Sequence, residues 1–293
     1  MAATPEEAVK ISVMAGVDMS MVPYNYSFLD HCVNLYNKDK LFEARVNDAV
    51  LRILRVKKQI GLFPHSENIY PNPADIQNIG TVEADNIALD AARESIILAK
   101  NDAILPLNKN TNILVVGPSA NLLKVLNGGW SYVWQGNVES YFQTFSGRKY
   151  NTIYEAIKLL STGNVVLRQG SNFTAIKEDI NDAIISAQSA DVILLCIGED
   201  TYTETPGNID NLMLSDPQMQ LATRLLDSGK PVVVVFIGGR PRTITSIVKR
   251  ARAVLFGFLP GNRGGNAIAD IIFGDYNPNG KLPITYPKGS EIS

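Results

Sequence analysis

Five short, nearly continuous runs of Val, Ile and Leu dominate the last two thirds of this 293-residue chain. Amphipathic stretches of helical periodicity separate them, one with Ile176, Ile180 and Ile184 at four-residue spacing and another over residues 219–226. Strands alternating with helices predict an α/β fold, a mainly parallel sheet sandwiched by helices, with its strands buried on both faces. The runs are residues 113–116, 165–167, 192–197, 232–237 and 253–258.

The first third of the chain has a different pattern. Apolar spacing predicts helices from Pro5 to Gly16, over residues 28–36, and from about residue 42 to Gly61, with a short strand at 17–21 where apolar and polar residues alternate. A stretch rich in Pro, Asn and Ser follows, and then a predicted helix over 82–99. We therefore expect a helical segment at 1–65, a linker and connecting helix at 66–109, and an α/β sandwich domain at 110–293.

Charge and hydropathy exclude several classes of partner. The chain carries 27 Lys and Arg against 29 Asp and Glu, a net charge of -2, so we expect neither nucleic acid nor an anionic membrane as partner. The longest apolar run is far short of the ~20 residues that span a bilayer. The first ten residues, MAATPEEAVK, are too acidic and polar for a signal peptide.

Cysteine and histidine are too sparse for a disulfide framework or a metal site. Cys196 lies inside an apolar run, where a buried inert thiol is the simplest interpretation, and Cys32 has no evident partner. His31 and His65 have no second ligand at metal spacing, which argues against a zinc site and a Ser-His-Asp triad. We expect no metal and no cofactor.

The loops after the predicted strands carry the candidate site, because ligands of parallel sheets collect beyond the carboxyl ends of the strands. Both tryptophans, Trp130 and Trp134, lie in the glycine-flanked loop 127–136. Glu199 and Glu204 lie in the loop after the third run, and Arg240 and Arg242 follow the fourth.

Each of these features has two interpretations. An exposed indole can stack on the C–H face of a sugar or pack inward, and paired carboxylates can include a general acid or be merely solvated. The arginines can bind phosphate or pair with carboxylates that hold loops. Nucleotide binding is disfavoured because neither G-x-G-x-x-G after the first strand nor a P-loop lysine is present.

Four segments that follow the predicted strands carry distinctive motifs: N-G-G-W-S-Y-V-W-Q-G (127–136), G-E-D-T-Y-T-E-T-P-G-N (198–208), G-R-P-R (239–242) and the stretch P-G-N-R-G-G-N to L-P-I-T-Y-P (260–287). Together they resemble glycoside hydrolase family 3, in its β-glucosidase and exo-β-glucanase branch. The upstream A-G-V-D-M-S-M-V-P (15–23) and the helix over 45–63 resemble the same family's passage out of its first domain.

The resemblance implies a (β/α)8-type barrel followed by an α/β sandwich, with the active site where they meet. It implies retaining hydrolysis of terminal β-linked glucosyl residues, with Glu204 as acid/base and Trp134, accompanied by Trp130, gripping the sugar beyond the scissile bond. Glu199, Tyr202 and Arg240 are candidates for supporting that site. The expected substrate is a β-glucoside or β-glucan oligosaccharide, and the full-length protein is expected to be secreted or periplasmic.

The chain departs from the family's pattern at the barrel. Such a barrel takes about 250 residues, so residues 1–65 resemble only its C-terminal remnant, in which Val50 and Ile53 would be exposed. The family's nucleophile lies in an S-D-W type motif, whereas Ser215-Asp216 here runs into Pro217. We therefore expect no nucleophile in this chain and a missing barrel domain supplied in cis or in trans. We also expect the sandwich to lack its final stretch, because relatives continue beyond L-P-I-T-Y-P.

Two functions follow from these expectations. The chain is either the acid/base-bearing part of a β-glucosidase-like hydrolase or a non-catalytic carbohydrate-binding or interaction module of the same fold.

Overall fold

The computed structural model describes residues 2–63, 71–145, 147–177 and 179–289. It divides into two compact units, Met1–Ile76 and Gln77–Ser293. His65 and residues 66–70, the first part of the predicted linker, lie outside the described residues.

The first unit is helical. The Thr4 side chain caps the first helix by accepting the Glu7 amide, and Asp39 caps the third by accepting the amides of Leu41 and Phe42. Phe42 is fully buried in a small apolar core. Val50 is exposed as predicted, whereas Ile53 is half-buried. The helices are α1 (Pro5–Met14), α2 (Ser27–Lys38) and α3 (Lys40–Gln59).

The strand predicted at residues 17–21 is wrong. Among the described residues no strand pairs with this segment, and alternation of side chains cannot hold a strand without a neighbour that takes its backbone hydrogen bonds. Instead Asp18 anchors the segment, accepting from Arg45 Nη2 at 2.6 Å and from Arg52 Nε at 2.6 Å. The two arginines hold the pKa of Asp18 well below its usual range.

Replacing Asp18 by Asn is expected to lower the stability of the first unit at neutral pH. A carboxyl with a depressed pKa stabilises the fold fully above the unfolded value of about 3.9 and loses that contribution as pH falls through the folded value. The difference in the free energy of unfolding between wild type and D18N should therefore be constant above about pH 5 and shrink below about pH 4. Amide exchange of α1 and α3 measures this free energy, and the exposed Asp30→Asn is the control. A difference between wild type and D18N that is unchanged at pH 2 would contradict the ion-pair assignment.

The second unit is built on a six-stranded sheet in the order β1-β8-β7-β6-β2-β5. All pairings are parallel except that of β1 with β8, so the mainly parallel sheet is confirmed. A separate two-stranded antiparallel ribbon comprises β3 (Thr144–Phe145) and β4 (Arg148–Lys149). The sheet strands are β1 (Ile97–Asn101), β2 (Ile113–Val116), β5 (Val165–Arg168), β6 (Val192–Gly198), β7 (Val232–Ile237) and β8 (Ala253–Phe258).

Strand β1 was not predicted, because its residues were assigned to the end of a helix running to residue 99. That helix ends at Ser95, and the chain continues directly into the edge strand. The helical pattern predicted from Ile176, Ile180 and Ile184 is correct only in its second part. Ile176 forms an isolated bridge with Ser171, and the helix starts at Ile180.

Two apolar layers cover the sheet, because successive strand residues point to opposite faces. In β6, Leu194 and Cys196 join one core while Leu195 and Ile197 join the other, all fully buried. Burial raises the pKa of the Cys196 thiol, in keeping with the inert role predicted for it. The helices are α4 (Val82–Ser95), α5 (Lys124–Asn127), α6 (Ile153–Leu160), α7 (Ile180–Ser189), α8 (Asp216–Leu226), α9 (Thr245–Arg250) and α10 (Gly264–Phe273).

The strand order positions the site. Strand β2 lies between β5 and β6 in the sheet. After β2 the chain first adds β5 on one side of β2, and then adds β6, β7 and β8 on the other side. The direction of chain progression therefore reverses between β2 and β6, and a crevice opens at the carboxyl ends of the strands at such a switch point. The segments leaving β2 and β6 contain the tryptophan loop (residues 127–136) and the glutamate loop (residues 198–208).

Candidate active site

A cleft of about 220 Å³ lies beyond the carboxyl ends of β6, β7 and β8. It brings together residues from the tryptophan loop, the glutamate loop and the glycines after β7. Of the residues that the sequence analysis singled out, Trp130, Glu199, Tyr202 and Glu204 all line it.

Glu204 lies at the tip of the glutamate loop with an exposed side chain and a backbone φ of 52°. Positive φ is costly for a residue with a Cβ, and such strain persists only where neighbouring contacts hold the backbone in place. A 3-10 turn at Thr205–Gly207 follows directly, closed by the Gly207 amide donating to the Glu204 carbonyl at 2.8 Å. The carboxyl group is thus presented to solvent from a constrained turn.

Glu199 has a different environment. Its side chain is 4% exposed and forms ion pairs with both Arg240 and Arg242 at 2.8 Å, in addition to accepting the Arg240 amide at 3.1 Å. The alternative in which these arginines pair with a carboxylate is therefore confirmed within the cleft. A buried carboxylate bound by two guanidinium groups stabilises the fold of the loops that carry them.

The two arginines extend from Glu199 to the rest of the glutamate loop. Arg240 donates to the carbonyl of Gly207, and its guanidinium lies 3.7 Å from the centroid of the Tyr202 ring. Arg242 donates to the carbonyl of Asn211 at 3.1 Å. Glu199 therefore holds, through its arginines, the chain on the far side of Glu204.

Two tyrosines near Glu199 have raised pKa values. Burial, together with the negative charge of Glu199, raises the pKa of Tyr202. The same two causes raise the pKa of Tyr286 to about 12. Because the Glu199 side chain is itself buried, water screens its ion pairs less than it would at the surface.

The two tryptophans occupy different positions. Trp130 lines the cleft, is 71% exposed and has a φ of 59°. Trp134 is 47% exposed and is not among the described residues that line the cleft, but its carbonyl accepts the Trp130 amide at 2.9 Å and the Thr203 hydroxyl at 2.8 Å. The structure thus brings Trp130 together with Glu204 and joins Trp134 to the same site through its backbone.

The third carboxylate of the cleft, Asp200, forms an ion pair with Lys124 at 2.6 Å. Within the described ranges no group of three or more His, Cys, Asp and Glu is arranged to hold a metal ion. None of the helices in those ranges has the length and apolar character needed to cross a bilayer.

A second, larger crevice of about 520 Å³ lies at the carboxyl ends of β2 and β5. Arg168, Asp179 and Asp182 line it, but Asp179 is occupied by the amides of Gln169 and Gly170 at 2.8 Å each. No tryptophan and no glutamate line this crevice within the described part of the chain, so the smaller cleft is the better candidate.

Sequence reasoning missed two glutamines that hold the loops. Gln218, on α8, is buried and bonds both the amide and the carbonyl of Gly198 at 2.9 Å, which seals the end of β6. Gln135 bonds both backbone groups of Thr203 in the same way. A glutamine amide carries no signal in a single sequence, because its partner is known only after folding.

Comparisons with known proteins identify the family of the chain. The family model described as "Glycosyl hydrolase family 3 C-terminal domain" matches residues 96–292. The lysosomal beta glucosidase of Dictyostelium discoideum is 39% identical over 98% of this chain and 35% of its own length. The periplasmic beta-glucosidase of Salmonella typhimurium is 34% identical, over 98% of this chain and 40% of its own length, and further relatives are named beta-xylosidases.

A beta-glucosidase from Listeria innocua, solved in complex with isofagomine, superposes with a TM-score of 0.83 at 29% identity, covering 98% of this chain and 38% of the other. The chain thus spans between a third and two fifths of the length of these relatives. It belongs to glycoside hydrolase family 3, and its sheet unit is an α/β sandwich of the family's C-terminal type.

Proposed function

We propose that this chain supplies the acid/base residue and the sugar-stacking platform of a retaining β-glucosidase. Glu204 is the acid/base, and the two tryptophans form the platform for the aglycone. The observation that carries the proposal is the exposed Glu204 carboxyl, held on a strained turn beside Trp130 in the cleft beyond β6, β7 and β8.

Retaining hydrolysis needs a second carboxylate about 5 Å from the first, to attack the anomeric carbon while the acid protonates the leaving oxygen. Both other carboxylates of the cleft are engaged: Glu199 with two arginines and Asp200 with Lys124. Their engagement supports a nucleophile supplied from outside these 293 residues, by a barrel domain in cis or in trans.

The size of the cleft also supports a contribution to the site from outside this chain. Its volume of about 220 Å³ is below the roughly 300–1,000 Å³ of most small-molecule sites. A wall contributed by the polypeptide that these relatives have in addition would enlarge and close it.

The proposed substrate is a terminal β-glucoside, since relatives include beta-glucosidases of 39% and 34% identity. Relatives named beta-xylosidases make xylosides the competing class. Because two of the relatives are named for the lysosome and the periplasm, we propose that the full-length protein acts outside the cytoplasm.

A chimera tests the proposal. This chain replaces the matching C-terminal part of the Dictyostelium discoideum relative, whose other residues are kept. Turnover of 4-nitrophenyl β-glucoside is expected from the chimera and not from this chain by itself. Robust turnover by this chain without the added residues would contradict the external nucleophile, and an inactive but folded chimera would contradict the acid/base role.

A carbohydrate-binding module is the second candidate, favoured by the 71% exposure of Trp130 and the 47% exposure of Trp134. Fluorescence titration of this chain with laminari- and cello-oligosaccharides distinguishes it. Binding that survives Glu204→Gln but is lost in Trp134→Ala, together with an inactive chimera, would favour the module over the enzyme.

A further inference from the structure

We infer that Gln135 is a positioning residue that fixes the tryptophan loop to the backbone beside Glu204, so that platform and proton donor move as one body. The inference rests on the proposed function of Glu204. Gln135 lies one residue after Trp134, and the residue that it holds, Thr203, lies one residue before Glu204.

The Gln135 side chain forms two hydrogen bonds with Thr203. Its Oε1 accepts the Thr203 amide at 3.1 Å, and its Nε2 donates to the Thr203 carbonyl at 3.1 Å. Both backbone groups of a single residue are thereby satisfied, much as a neighbouring strand would satisfy them. A side chain with only a donor or only an acceptor cannot make this pair of bonds.

A third hydrogen bond crosses between the loops in the opposite direction. The Thr203 hydroxyl donates to the Trp134 carbonyl at 2.8 Å, and Thr203 is only 5% exposed. Adjacent residues of the tryptophan loop are therefore bonded to one residue of the glutamate loop through three contacts. Little water reaches this joint, so a broken bond leaves an unsatisfied buried group.

Close packing allows no offset between the two loops. A Cβ added to Gly129 would lie 1.7 Å from the Thr203 hydroxyl oxygen and 2.4 Å from the Tyr202 carbonyl oxygen. Within the tryptophan loop itself, a Cβ on Gly136 would lie 2.0 Å from the Gly128 carbonyl oxygen, so this loop is tightly folded as well. The two loops are in close contact at Gly129, and the hydrogen bonds of Gln135 determine which backbone groups face each other there.

The consequence for catalysis follows from the neighbouring positions. Thr203 is fixed on the side of the tryptophan loop, and Gly207 is fixed by Arg240, so the turn at Glu204 is held at both ends. An aglycone stacked on the indoles then lies at a set distance from the carboxyl that must protonate its oxygen. Misplacement of a catalytic group by about 1 Å can cost about 100-fold in rate.

The test compares Gln135→Leu with Thr203→Val in the chimera and in this chain. Both replacements preserve approximate volume while removing contacts of the joint. Gln143→Leu is the matched control, because this exposed glutamine of the same region makes no side-chain hydrogen bond within the described residues. Circular dichroism and thermal midpoints establish that each variant is folded.

Leaving-group dependence is the readout that a purely structural role would not produce. For laminaribiose, whose leaving oxygen needs a proton, kcat/KM should fall roughly 10- to 100-fold in Gln135→Leu. The activated substrate 2,4-dinitrophenyl β-glucoside releases a phenolate that departs unprotonated, so its kcat/KM should change by less than about threefold. Thr203→Val should show the same selectivity, and the double variant should lose less than the product of the two effects.

Amide exchange in this chain gives a second readout independent of turnover. The Thr203 amide should be protected in the wild type and in Gln143→Leu, and exchange at least about tenfold faster in Gln135→Leu. An unchanged Thr203 amide, or an equal loss for both substrates, would overturn the positioning role. If Glu204→Gln itself shows no leaving-group dependence, the proposed function fails instead, so the two failures are distinguishable.

Discussion

Replacing Glu204 by Gln in the chimera is expected to lower kcat/KM for laminaribiose by about 10²- to 10⁴-fold, the usual contribution of a general acid. The glutamine keeps the size of the side chain but has no proton of suitable acidity to give to the leaving oxygen. For 2,4-dinitrophenyl β-glucoside the loss in kcat/KM should be small, because its leaving group needs no proton.

The second step of the reaction gives an independent check on Glu204. In the wild type the same carboxylate activates water against the glycosyl–enzyme intermediate. Azide needs no general base: it attacks the anomeric carbon directly, forms glucosyl azide and releases the carboxylate nucleophile. Azide should therefore raise kcat of Glu204→Gln with the activated substrate and leave the wild type unaffected.

Glu94→Gln, the same chemical change at an exposed site, is the control for Glu204→Gln. Equal losses in the two variants, or the absence of glucosyl azide among the products, would remove Glu204 from the acid/base role.

Replacing Glu199 by Ala is expected to destabilise the sheet unit by about 3 kcal/mol or more, because removing one partner of a buried ion pair leaves the other charge uncompensated. Two guanidinium groups lose their common partner here, Arg240 at 23% side-chain exposure and Arg242 at 15%. Urea unfolding followed by tryptophan fluorescence measures the effect, since both tryptophans, Trp130 and Trp134, belong to this unit.

The neighbouring residue provides a matched control for the Glu199 variant. Asp200 is 44% exposed and pairs with a single lysine, so Asp200→Ala should cost no more than about 1 kcal/mol. If Glu199→Ala also costs less than about 1 kcal/mol, the arginines are stabilised by other groups and Glu199 does not hold the loop.

Much of the fold was predictable from local pattern. The strands β2, β5, β6, β7 and β8 follow from runs of apolar residues too short for helices and bounded by turn residues. Strand β1 was missed because its sequence, I-L-A-K-N, is compatible with the end of a helix, and pairing with β8 decides its state. The strand predicted at residues 17–21 failed for the converse reason, since its alternation found no partner in the described chain.

The candidate site was also predictable only in part from the sequence. The loop contents that carry chemistry, Glu199, Tyr202, Glu204 and Trp130, were identified by residue type and position after strands, and the structure gathers them in one cleft. The resemblance to family 3 already assigned the acid/base role to Glu204, and the structure added the physical difference between the two glutamates. Glu199 is neutralised by arginines about forty residues away in the chain, whereas Glu204 is left exposed.

The amino-acid sequence by itself determined five of the six strands of the sheet and which loop residues follow them, because hydrophobic periodicity and turn residues are local properties of the chain. Only the tertiary structure decided that the loops leaving β2 and β6 meet. They meet because β6 pairs directly with β2, while β5 pairs with the other side of β2. Gln135 and Thr203 lie 68 residues apart in the chain, and no local preference of either can specify the other. Their hydrogen bonds exist because the order of strands in the sheet brings the two loops together.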